Sequence, residues 1–549
     1  MNQEIDNPSK CPICGRPTHK ESKYCIFHAS AEEKTEREFK DALREYVNKV
    51  KKKNKDFDFR SFIFIGKIDF CKDLNITTLK SADFNNAIFE GNVVFLKAIF
   101  KEDAVFGNTT FKEFTTFKNA TFEGFVDFCN VNFRKYAGFE NVTFRGNVNF
   151  RKTTFEGNTI FANAVFKKYA GFKNAIFKGD SIFGGATFEG NIGFGCATFY
   201  GNTGFVHVIF VDTARFRSVT FKGFVIFVGA TFNKIADFVD VKFEVFAGFK
   251  GATFKENAYF NIKTNVGKLS FSNAIFTSGK TLKIEIKEAK KEVIVEFKKT
   301  YLENIDLELF LNEKVLIDFT GAFLRNTNIQ RGQIENHILQ EEEGEYLTTE
   351  KIFLNLKNNF HGIGQYEDES WAFQIEKDME RKSLSFPRNN KTLKTEGQTE
   401  KITFLKWIEK GDFIKWIISS FSHVIYGYGE KPWNVIKSAI IIIFLFGLSF
   451  NLIGIANPEI IELNGTAIHE SLGNIVEVDL MSKGFLKNNI IRNFPDSIYF
   501  SLITFTTLGY GDFRPLEGWG RILAGSEAFI GAFMMALFVY TFARRTGGR

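Results

Sequence analysis

The sequence predicts a multidomain chain: a β-solenoid, then cytosolic helices, then an α-helical membrane domain with two spans. Three observations carry that prediction. Phenylalanine occurs 69 times against 14 tyrosines and 5 tryptophans, a bias that suggests a repeated slot filled by one side chain. From Phe84 to Phe260 the phenylalanines recur at alternating steps of five and six, an unbroken 11-residue period. Two apolar stretches lie at about 434–455 and 519–543, each long enough for a bilayer core. At 549 residues the chain exceeds one ordinary core. Its net charge of +7 is modest and points to no nucleic-acid partner.

In order along the chain, the first module is residues 1–30. No apolar signal core follows the polar start, so the N-terminal half is expected in the cytosol. Six cysteines are too sparse for a disulfide framework. Cys11 and Cys14 are separated by two residues, as are Cys25 and His28. Each pair can sit on a tight turn aimed at one point, and four such ligands suit tetrahedral Zn2+ with no open position, a structural site. The pattern resembles a small zinc ribbon or zinc knuckle. His19 is a spare donor in the intervening loop. Residues 31–60 read as a charged helical linker whose KKKNK end is a solvated face.

Residues 61–330 hold the repeat. As a helix, five steps at about 100° rotate a side chain by about 140°, which scatters Phe over two stripes. It would also place Gly in the helix interior at about 1 kcal/mol each. A solenoid accepts the same facts. Each Phe points inward, and the small residue two positions earlier (Ala82, Ala87, Val93, Ala98, Ala104, Thr109) points the same way. Gly-Asn pairs such as Gly91-Asn92 and Gly146-Asn147 are expected at the corners, where positive φ is often needed. The repeat resembles the pentapeptide-repeat family, with an extra residue in every second repeat; Phe319, Leu324 and Ile329 keep the plain five-residue step. The resemblance implies a quadrilateral β-helix. Four faces per 22-residue coil would give about eight coils over 81–260. Some members of the family imitate DNA by acidity. Here residues 81–260 carry 20 Lys and Arg against 16 Asp and Glu, which argues against that role and leaves a cytosolic ligand or partner unnamed. Cys129, Cys196 and His207 stand singly, as ordinary solenoid positions.

Residues 331–430 turn helical, with apolar residues at helical spacing in LTTEKIFLNLKNNF and DESWAFQIEKDMERKS. A polar loop is expected at 385–400, then an amphipathic juxtamembrane helix at 402–426 carrying Trp407 and Trp416.

Residues 431–549 form the membrane domain. Lys431 and Lys437 flank the first span, and Arg544, Arg545 and Arg549 follow the second. The positive-inside rule puts both termini in the cytosol. The loop after the first span, with Glu459, Glu462, Glu470, Glu477 and Asp479, then faces outward. Pro495 suits the first turn of a re-entrant helix over 497–506. Next comes Thr507-Leu508-Gly509-Tyr510-Gly511-Asp512. A dehydrated cation needs a ring of oxygens, and the carbonyls of 507–510 can supply it if Gly509 and Gly511 take unusual φ/ψ. This segment resembles the selectivity filter of two-span potassium channels. The resemblance implies K+ as permeant ion, a homotetramer because each chain gives a quarter of the ring, and a bacterial plasma-membrane protein in contact with lipid. Tyr510 would brace the ring and Asp512 would sit at the outer mouth. Leu508 stands where many family filters have Val, and Ile503 where some channels carry a carboxylate. Gly531 matches the inner-helix glycine, a gating hinge or a close-packing position. Glu527, ionisable at membrane depth, is a candidate support behind the re-entrant helix. No span repeats Arg at every third position, so no voltage sensor is expected, and nothing in the chain has enzymatic geometry. A weakly selective monovalent cation pore and a membrane-anchored repeat scaffold remain alternatives.

Overall fold

The computed structural model describes residues 10–263, 267–385, 411–457, 474–475, 485–515 and 518–546. The loop expected at 385–400, apart from its first residue, lies outside them, as do 402–410 of the amphipathic segment and the acidic residues between 459 and 479. The chain forms two compact units, Met1–Asp368 and Glu369–Arg549.

In the first unit the five-six spacing yields strands of two residues. Val126–Asp127, Asn132–Phe133, Ala137–Gly138 and Thr143–Phe144 trace the four faces of one coil. Each pairs in parallel with a strand 22 residues away, as in Thr110↔Asn132, Thr115↔Ala137, Thr121↔Thr143 and Val126↔Val148. One face carries 12 strands, hence about twelve coils. Inside, Phe106, Phe128, Phe150 and Phe172 stack with ring centroids 4.8 Å apart. Adjacent columns meet edge-on, as Phe117 meets Phe128 at 5.6 Å. Both arrangements suit the ring quadrupole and add roughly 0.5–1.5 kcal/mol per pair beyond burial. A flat ring stacks at the spacing of neighbouring strands; this explains why one residue type fills the slot.

The corners differ from the sequence expectation. Positive φ falls on Asn86, Lys97, Asn108, Asn119, Asn130 and Asn141, every eleventh residue, and not on the Gly-Asn pairs. Asn tolerates the left-handed region. Its amides also form a ladder: Asn130 donates to Asn108 at 2.8 Å and Asn141 to Asn119 at 3.0 Å. The glycines serve a different need. A Cβ on Gly157 would lie 2.5 Å from the Lys135 carbonyl carbon of the coil below, so Gly there permits coil-to-coil contact.

Both solenoid ends are covered. The helix Glu36–Lys52 begins with a Thr35/Glu38 capping box and buries Phe39, Leu43, Val47 and Val50. At the other end the helix Tyr346–Gly362 presents Asn359, which accepts from the Thr327 amide at 2.8 Å and donates to its carbonyl at 2.9 Å. Asn359 thereby satisfies both backbone groups of Thr327.

In the second unit the helices Pro432–Ile453 and Trp519–Thr546 are long and apolar, with mean hydropathy 2.2 and 2.0 over an 18-residue stretch of each. Between them runs Phe485–Phe505. Pro495 lies inside that helix, not in its first turn as expected, so one backbone donor is missing midway. Phe450, Ile455, Phe500 and Ile503 form one buried cluster among the three helices; Val435, Phe505 and Met534 form another.

Candidate functional site

The three helices bring the segment 507–512 to the end of Phe485–Phe505. The helix finishes with the Thr506 amide donating to Leu502 O at 3.0 Å and the Leu508 amide to Ile503 O at 3.0 Å. From there the backbone alternates: Thr507, Gly509 and Gly511 have φ of 59°, 56° and 83°. Gly509 and Gly511 were legible in the sequence; Thr507, a β-branched residue in the left-handed region, was not. Leu508 and Tyr510 are exposed in the single chain. Beyond Asp512, Arg514 and Pro515 pair antiparallel with Ile455 and Ala456 at the end of the first span. The segment is therefore fixed at both ends.

Gly531 is buried, and a Cβ built there would overlap the Phe505 carbonyl. The second span thus touches the residue two before Thr507. Four positions earlier on the same helix, Glu527 is fully buried. The Ser501 hydroxyl reaches its carboxyl and also the Ile443 carbonyl, the latter at 2.8 Å. All three helices meet at that hydroxyl. Neither Ser501 nor Ile443 was singled out by sequence.

A second cluster sits at the far end of the last helix. Arg544 pairs with Glu430 at 3.0 Å, and Ser370 donates to the same carboxylate at 2.6 Å. Arg544 also reaches Tyr428 O at 3.4 Å and lies over the Phe373 ring at 4.8 Å, while Arg545 reaches Glu430 O at 3.4 Å. Glu430 is 3% exposed. The helix Asp412–Tyr426 leads into this turn, with Ile414, Ile417, Ile418, Phe421 and Val424 exposed.

At the N-terminus Cys11, Cys14, Cys25 and His28 come together, their donor atoms all within 4.8 Å of one another. His28 Nδ1 lies 3.5 Å from Cys11 Sγ and 3.2 Å from Cys25 Sγ; Cys14 and Cys25 sulfurs are 3.5 Å apart. A tetrahedral ion with metal–sulfur bonds of about 2.3 Å needs donor separations of about 3.7 Å, so the set fits a dication after small adjustments. Burial pushes the Cys11 thiol up, but backbone amides and His28 bring it down to about 6; burial and the neighbouring Cys25 raise Cys14. His19 is not in the cluster. Behind it Lys34, unremarked in sequence, donates to Ile26 O at 2.8 Å and Ile63 O at 2.7 Å, and burial lowers its amine to about 7.

Comparison with known proteins matches two segments of the chain. A family model described as an ion channel matches residues 468–547. A model of pentapeptide repeats in nine copies matches 95–143 and 139–187. The potassium voltage-gated channel protein shk-1 of Caenorhabditis elegans is 42% identical over 50 residues, a stretch covering 9% of this chain and 9% of that protein. No solved structure matches the chain.

Proposed function

From a chain that joins pentapeptide repeats to an ion-channel domain, we propose a homotetrameric potassium-selective channel that conducts K+ passively across a membrane. One observation carries the reading: left-handed backbone at Thr507, Gly509 and Gly511, held at the end of a helix that runs between two spans. Alternation of that kind lets successive carbonyls turn to one side, where they replace the ion's hydration shell. One chain offers one strand of oxygens and leaves Leu508 and Tyr510 uncovered. Irregular backbone at membrane depth is stable only when protein or a water-filled cavity surrounds it, so three further copies complete the cage. Glu527 and Ser501 brace the helix beneath it. The similarity to a potassium channel of the nematode supports the choice of ion.

The exposed apolar face of Asp412–Tyr426 suits a helix lying on the lipid surface. Glu430, in the turn that follows that helix, pairs with Arg544 at the cytosolic end of the last span. The Cys11, Cys14, Cys25 and His28 cluster holds structural Zn2+ in this reading.

Flux of K+ and Na+ from vesicles containing the purified protein tests the proposal. K+-selective flux that Gly509→Ala abolishes is expected. Equal permeability to both ions would leave only a weakly selective pore. Flux unaffected by Gly509→Ala would remove the segment from the conduction path and favour the scaffold alternative.

A further inference from the structure

We infer that the metal site is the closure of the solenoid: metal occupancy and docking of residues 11–28 on the first coil are one coupled equilibrium. The inference rests on the reading of the Cys3His cluster as a Zn2+ site.

The first coil would otherwise end in an open parallel edge, the kind of surface that recruits other strands. The metal module supplies the missing partner. The Ile63 amide, on the strand Ile63–Phe64, donates to Phe27 O at 2.8 Å. Phe27 stands between two ligands, Cys25 and His28, and its ring stacks on Phe62 at 4.5 Å. The coil reaches back to the ligand set as well. His28 turns Nδ1 toward the sulfurs and donates from Nε2 to the Arg60 carbonyl at 3.1 Å. A ligating imidazole is oriented by the partner of its other nitrogen, and here that partner is solenoid backbone. Lys34 links Ile26 O of the module to Ile63 O of the coil. Arg16, two residues after Cys14, lies over the rings of Phe27, Tyr46 and Phe62 at 5.2, 5.1 and 5.6 Å.

The module has almost no core of its own: among 11–28 the buried side chains are Cys11, Ser22, Cys25, Phe27 and His28. Segments this short fold only with a metal or a neighbour, and this one has both. Removing the metal frees Phe27 and His28 together, exposing the Ile63 rung and the Phe62 face. Disturbing the coil surface loosens His28 and lowers metal affinity, because coupling is reciprocal.

The test uses the full-length chain in detergent. Zinc content is measured first. Hydrogen exchange of peptides over 57–68 is then followed with and without a zinc chelator, peptides over 126–172 serving as internal reference. We expect stoichiometric zinc, and a rise of about tenfold or more in exchange over 57–68 on chelation with the reference unchanged. Cys14→Ser should reproduce the chelated pattern; Cys14 is exposed, so lost packing does not explain the effect. Phe62→Leu should weaken zinc in chelator competition by roughly tenfold. Stoichiometric zinc with unchanged exchange over 57–68 overturns the coupling and leaves the metal reading standing. A chain that neither carries nor takes up zinc overturns the metal reading and the inference with it.

Discussion

Gly525 and Gly531 lie on one helix and predict opposite outcomes for the same substitution. A Cβ at Gly525 meets nothing within 4 Å among the described residues. Gly525→Ala should therefore stabilise by about 1 kcal/mol, the propensity difference in a helix interior. A Cβ at Gly531 overlaps the Phe505 carbonyl and comes to 3.1 Å from its Cα. Both obstructing groups are backbone, so no side-chain rotation relieves them. Forced overpacking costs about 1–3 kcal/mol, and the same propensity gain of about 1 kcal/mol offsets part of it. The net loss is about 0–2 kcal/mol per chain, felt at the turn that opens Thr507–Asp512. In an assembly of four copies the losses add. The assay pairs thermal dissociation of the purified assembly with K+ flux in vesicles. Gly525→Ala should match or exceed the parent in stability, while Gly531→Ala should dissociate earlier and conduct less. If the two variants behave alike, close packing against Phe505 is not what requires glycine at 531, and a bending role gains support.

Glu527→Gln should keep flux and assembly close to the parent. Ser501 has one proton for two acceptors, the Ile443 carbonyl and Glu527; with Ile443 taking it, the other bond needs a donor from position 527, which an amide supplies. Glu527→Leu should cost about 1 kcal/mol by removing one of the two Ser501 contacts while the bond to Ile443 remains; equal damage from both variants sinks that account. Glu430→Gln should shift single-channel open probability by loosening Arg544 from the 428–430 turn; an unchanged gating record would exclude the contact from gating. Burial raises the Glu296 carboxyl, but Lys268, Ser270 and Ser272 outweigh it and hold it near 2. A depressed carboxylate contributes stability above its ordinary value near 4.5 and loses it as pH falls through about 2. Because Lys268 is partly in solvent, about 1–2 kcal/mol is expected in place of the full shift. Exchange protection over 293–318 should therefore differ between the parent and Glu296→Gln at pH 7 and converge near pH 2; a constant difference would contradict it.

The parts of this chain that a reader of the sequence can find are those in which one physical demand recurs or has few chemical solutions. Phe spacing announces the coil because each strand repeats the same slot, and the 22-residue register follows from two 11-residue periods. The filter-like segment is legible because turning consecutive carbonyls to one side calls for glycine. The corner chemistry is ambiguous in the sequence for a related reason. Both Asn and Gly favour left-handed backbone, and sequence alone does not say which glycine is there for φ and which for room. Gly157 is the second kind, fixed by the Lys135 backbone of the coil below. Contacts between distant segments left no local trace. Asn359 against Thr327, Arg544 against Glu430 and Ser501 against Glu527 are ordinary polar residues until the fold brings them together.

Those unannounced contacts share a feature with functional consequences. Each joins an element that repeats or is apolar to the one beside it, and each uses a buried polar group with few alternative partners. Breaking such a group leaves an unsatisfied donor or acceptor at about 1–3 kcal/mol, whereas losing one stacked pair among many in the solenoid removes roughly 0.5–1.5 kcal/mol beyond burial. A solenoid couples only nearest neighbours, so a disturbance in its middle stays local. The junctions are different. Arg544 links the last span to the turn before the first, and Ser501 links all three membrane helices at once. Control of the pore is therefore expected to reside in these few polar junctions more than in the large repeated core.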